Sequence, residues 1–208
     1  HHLIGSRSLV WNLAKNDIKK KFAGSYFGVV WAFVQPVITV LLYWFVFEKG
    51  LNSKATDLRT GIEIPFVLWL TAGLVPWFYF QEALNGGTGV LVEYSYLVKK
   101  VVFQIDMLPV VKMISALFTH LFFVAFTIVL FICMGYMPDW YALQVVYYSF
   151  CMILFATGLV YATSAVTVFF RDMKEVVGIL LQIGMWVTPI MWNFETMVQI
   201  PGWAIAVL

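Results

Sequence analysis

Charged residues vanish from this chain between Lys21 and Glu48. A helix needs about 20 apolar residues to cross the hydrocarbon of a bilayer, so the gap predicts a first span near residues 29–47. Gln35-Pro36 falls inside it, where a proline frees a backbone carbonyl and kinks the helix. The same alternation of apolar runs and charged breaks predicts further spans at 64–92, 110–134, 140–170 and 176–194. A polar loop, Glu48 to Glu63, separates the first two. The short turn Gly135–Asp139 makes the third and fourth spans an antiparallel pair. The fourth, at about 1.5 Å per residue, is longer than the hydrocarbon and must tilt or project. Gly158 and Ala162 on it form a small-xxx-small pair that lets another helix approach. The fold class expected is all-α, a polytopic membrane helical bundle. Its five spans end outside, and the apolar stretch that begins near Ile200 leads to the expectation of a further crossing.

Ahead of the first span, residues 8–25 read as an amphipathic helix. Trp11, Ala14, Ile18 and Phe22 recur at helical spacing, Asn12, Asn16 and Lys20 lie opposite, and Lys15 and Lys19 border the stripe. Such a helix is suited to the membrane interface, lysines toward anionic headgroups. It has neither the compact apolar core nor the small-residue cleavage site of a signal peptide. His1 and His2 resemble the remnant of a purification tag.

Between the second and third spans lies a charged island, 93–109. The N-terminal segment, this island with its edge at Lys112, and the turn Phe169–Glu175 carry ten of the 13 Lys and Arg residues. The positive-inside rule places all three in the cytoplasm.

Composition supports lipid as the main solvent. Of 208 residues, 62% are hydrophobic and 12% charged, with mean hydropathy +0.87; soluble domains are about 45–50% apolar and about 25% charged. Net charge is +2 and no basic stripe is gathered for nucleic acid. Cys133 and Cys151 sit within apolar runs, without the spacing of a metal site or disulfide framework. The run Asn85–Gly89 lacks the strand, the helix start and the lysine of a phosphate loop, so it reads as a helix break or a close-packing site. Glu82, so near the hydrocarbon, must face water or a partner. His120 has no second histidine or acid nearby in sequence and reads as a hydrogen-bonded packing residue, with a proton relay or membrane-enzyme base as the alternative.

Several motifs, in order, carry a resemblance. Asn16-Asp-Ile-Lys-Lys-Lys-Phe-Ala-Gly-Ser-Tyr-Phe-Gly-Val-Val-Trp31 with Gln35-Pro36 resembles the opening of ABC-2-type export permeases. Ala72–Phe80, Glu93–Lys100, Ile105–Pro109, Phe169–Asp172 and Gln182–Ile190 continue it. The branch most similar exports cell-surface polysaccharide: O-antigen, teichoic acid or capsule.

The resemblance implies a permease in the bacterial cytoplasmic membrane, its N-terminus cytoplasmic, paired with a second copy of itself and with two ABC ATPase subunits. It implies six spans, one more than are read here, and a lipid-linked glycan as substrate. The chain has no G-x-x-x-x-G-K-[ST] loop, so ATP and Mg belong to the partner and no cofactor is expected on this chain. Residues 93–109 match the family's coupling segment, with Tyr94, Tyr96, Leu97, Lys99 and Lys100 as ATPase contacts and Arg171-Asp172 as a second contact. The N-terminal helix, through Trp11, Ile18, Lys19 and Phe22, would brace that partner. Trp31, Trp69, Trp77, Phe78, Tyr79 and Phe80 are candidates to line a glycan path, since aromatic faces stack on sugars; interfacial anchoring explains such residues equally well. An ABC-2 exporter of drugs or small lipids, and a membrane-embedded transferase using His120 and Glu82, are the alternative functions.

Overall fold

The computed structural model describes residues 2–21, 23–52, 55–56, 63–95 and 105–192, with side chains of the first helix from Val10. Phe22, Tyr96, Leu97, Lys99 and Lys100 lie outside the described residues, as does everything beyond Trp192.

Helix α1 spans His2–Lys21. Its inward face is Val10, Ala14 and Asp17, packed with Leu13 on Val110, Val111 and Ile114. Among its described members, the stripe read from spacing shares only Ala14 with this face: Trp11 is 45% exposed and rests its ring 5.1 Å from Phe118. The offset has a physical reason. Asp17 is drawn inward by a cationic partner, and that rotates the helix away from its most apolar stripe.

After positive-φ glycines at Gly24 and Gly28, which let the chain reverse without a Cβ clash, helix α2 runs Trp31–Trp44 with Pro36 inside and continues as a wider helical turn, Phe45–Gly50. The polar loop holds a small element that an all-α reading does not anticipate: strand β1, Ala55–Thr56, pairs antiparallel with β2, Glu63–Ile64.

Helix α3, Phe66–Thr88, is the hub, packed against α2 and three later helices. The expected second span, 64–92, is broken at Gly89, where α3 ends and the short α4, Val90–Glu93, begins. Helix α5 is Met107–Cys133, α6 is Gln144–Phe169 behind a tight turn at Trp140–Leu143, and α7 is Met173–Val187. Among the described residues, three stretches combine the length and apolarity to cross a bilayer: Gly28–Gly50, Met107–Cys133 and Trp140–Phe169. Helix α3 is long enough, but Gln81, Glu82, Asn85 and Gly86 make its second half polar. Helix α7 stops at Val187, before Pro189.

Close approach fixes how these helices cross. A methyl group on Gly87 would overlap Val160 of α6, and one on Gly73 would stand 2.9 Å from Ile190. The glycine run therefore both ends α3 and brings it against α6, where the Thr88 and Thr163 hydroxyls meet at 3.0 Å. Gly158, by contrast, has open space around it. No described helix of this chain uses the small-xxx-small pair.

Candidate functional site

At one end of the bundle, charge gathers where α1, α3, α4 and α5 meet. Asp17 is 7% exposed, an unusual position for a carboxylate. Its Oδ1 accepts from the Tyr94 hydroxyl at 2.8 Å and from Lys112 Nζ at 2.7 Å. Lys112 also reaches Glu93 at 3.2 Å, and Lys20 stands 3.8 Å from the same carboxylate. The Tyr94 ring lies under both ammonium groups, Lys20 at 5.0 Å and Lys112 at 5.5 Å from its centroid. Charge-assisted hydrogen bonds and cation–π contacts thus replace the water that these groups give up. Glu82 is satisfied separately by Lys21 at 2.7 Å, which answers the requirement for a partner.

Beside this cluster opens a cavity of about 710 Å³. Its wall carries Lys20, Lys21, Lys112 and Lys174 together with Asp17, Glu82 and Glu93. Gln35 and Thr39 of α2 and Gln81 and Asn85 of α3 add neutral hydrogen-bonding groups. A volume of several hundred cubic ångströms holds a small-molecule headgroup. The polar half of α3 faces this space, which is why its composition departs from that of a lipid-facing helix.

The sequence-derived site residues distribute unevenly. Tyr94 is turned inward, 5% exposed and packed on Val90 and Leu108, so its side chain braces the bundle and offers no outward contact surface in this structure. Arg171 and Asp172 are exposed on the turn between α6 and α7. Lys19 is exposed, and Ile18 is half-buried. Of the six aromatics, only Phe78 lines the cavity. Tyr79 is 2% exposed, buried against the His120 ring 5.0 Å away, and has no surface to offer a glycan. Trp77 packs on Gly184, Phe80 stacks on Phe155 at 6.1 Å, Trp69 borders the core around Leu70, and Trp31 lies beside Phe27. His120 hydrogen-bonds Ser149 at 3.3 Å as a packing residue. It and Glu82 hold different partners, so the two do not form an acid–base pair.

Asp17, Glu93 and the cavity residues Gln35, Gln81 and Asn85 are the functional candidates that sequence reasoning missed. A signal was present for Asp17, the one acid in a helix whose other charges are all basic.

Sequence comparison agrees with this architecture. The family described as ABC-2 type transporter matches residues 8–208. The chain is 25% identical over 190 residues to the O-antigen export system permease protein RfbA of Myxococcus xanthus, covering 91% of this chain and 70% of that protein. It is 22% identical over 197 residues to an O-antigen export system permease protein RfbA of Klebsiella pneumoniae, covering 93% of this chain and 72% of that one. With nearly its whole length matched, the chain belongs to the ABC-2 type transporter family as a membrane permease.

Proposed function

We propose that this permease exports a lipid-linked cell-surface polysaccharide, driven by a separate ABC ATPase. The carrying observation is the cavity, whose lysines, amides and hydroxyl suit a phosphate-bearing, hydroxyl-rich headgroup at the edge of an apolar bundle. The relatives named for O-antigen export support the same substrate class. The lysines attract the phosphates by charge, and Gln35, Thr39, Gln81 and Asn85 exchange hydrogen bonds with sugar hydroxyls without demanding one sequence of sugars.

In this reading two copies of the chain face each other in the bacterial cytoplasmic membrane. The N-terminus, the cavity and the Arg171 turn are on the cytoplasmic side. The partner ATPase bears on the segment between Tyr94 and Met107 and on Arg171-Asp172, and its closure on ATP and Mg spreads the permease halves. A transferase reading lacks an assembled acid–base pair at His120 and Glu82.

The test is reconstitution of the chain with its ATPase in vesicles, following a labelled lipid-linked glycan. ATP-dependent appearance of glycan on the far side is the expected result. Transport of a hydrophobic dye or a simple lipid, with no glycan transport, would give the drug or small-lipid exporter reading in its place.

A further inference from the structure

Residues that lie far apart along the chain converge on a single carboxylate oxygen. Tyr94 ends the α3–α4 arm, and Lys112 lies in the second turn of α5. They flank the segment on which, in the reading above, the ATPase acts. Both bind Oδ1 of Asp17 on α1. Glu93 and Lys20 tie the same two arms a second time, Glu93 to Lys112 and Lys20 to Glu93.

We propose that Asp17 is a positioning residue for coupling, the joint that makes α1, α4 and the start of α5 move as one body when the partner pushes between Tyr94 and Met107. Apolar contacts, such as Ala14 on Val111, carry no direction of their own and fix register less sharply than hydrogen bonds. Hydrogen bonds to a buried carboxylate fix it, since displacement by a few ångströms leaves a desolvated charge without donors. The load on the segment is therefore delivered to α1, and α1 borders the cavity through Asp17, Lys20 and Lys21. The cavity wall then shifts in step with the ATPase.

This inference rests on the permease being driven by a separate ATPase. The experiment uses the whole complex, permease and ATPase, in vesicles, and reads glycan exported and ATP hydrolysed in the same sample. If the wild-type complex exports no glycan, the functional reading falls first. Given a working wild type, Asp17→Asn should keep the ATPase bound and hydrolysing while glycan exported per ATP drops about tenfold. A purely structural bridge would lower export and hydrolysis together and leave their ratio unchanged, which overturns the proposal. Tyr94→Phe keeps the packing and removes only the hydroxyl, so it decides the matter if Asp17→Asn fails to accumulate: a lowered ratio supports the joint, and a wild-type ratio overturns it.

Discussion

Asp17 and Lys112 are 95 residues apart in sequence and 2.7 Å apart in space. They pin the N-terminal helix to the start of α5. The Lys112 side chain is 12% exposed and that of Asp17 9%, so neither is well solvated and solvent screening of the pair is weak. Removing one partner from such a pair leaves an uncompensated charge, at a cost of about 3–5 kcal/mol. Lys112→Met is therefore expected to lower the unfolding midpoint of the detergent-solubilised protein sharply. Combining it with Asp17→Asn should restore much of the loss, because the orphaned charge goes too. Thermal unfolding of the two single variants and the double variant closes the cycle.

Gly87 tests the helix crossing. Its α carbon is so near Val160 that a side chain has no room, and interiors at crystal-like density do not absorb a methyl freely. Gly87→Ala should cost about 1–3 kcal/mol. Val160→Ala in the same chain should return part of it. The measurement is again the unfolding midpoint, and an undisturbed midpoint in Gly87→Ala would mean that α3 and α6 cross elsewhere.

The three longest apolar stretches were legible from charge gaps alone, because a bilayer span leaves a one-dimensional signature. The face of α1 was not. Periodicity ranks residues by apolarity, and it cannot see that Lys112, brought in by α5, makes Asp17 the inward residue. The glycines at 85–89 announced close packing, yet the partner, Val160, is set by the tertiary crossing. Tyr94 shows the same limit. An aromatic in a charged island looks like a partner contact, and only the position of α1 reveals the acceptor for its hydroxyl. Gln35 stands on α2, while Gln81 and Asn85 lie one turn apart on α3, so no local pattern in the sequence joins the two helices into one wall.

Lys174 offers a test of the cavity. It lies on the wall near Gly89 and has no acidic partner among the described residues, in contrast to Lys21 and Lys112. An ammonium held without a carboxylate is available to an incoming phosphate. Lys174→Gln should raise the KM for a lipid-linked glycan about ten- to a hundredfold, the value of one charge-assisted hydrogen bond. The maximal rate should change little, since the helix packing is unaffected. Export measured against substrate concentration gives both parameters, and an unchanged KM removes Lys174 from the binding surface.

His120 separates transport from chemistry. The residue is 4% exposed, its Nε2 lies 3.3 Å from the Ser149 hydroxyl, and its ring packs on Tyr79. Each of these contacts joins α5 to a neighbouring helix, so the imidazole acts here as a polar packing piece. Replacing it by alanine opens a void and leaves Ser149 without this partner, a loss of about 2–4 kcal/mol by analogy with other large-to-small core changes. Fewer folded complexes are then expected. Export normalised to assembled complex should remain within about twofold of wild type, since His120 neither lines the cavity nor bonds to the Asp17 cluster. A base in a membrane-embedded transferase behaves oppositely: turnover per folded molecule falls by about two orders of magnitude or more while assembly holds. Quantifying assembled complex by size-exclusion chromatography beside the export assay distinguishes these outcomes, and full loss of activity in a well-assembled His120→Ala complex would return the site to catalysis.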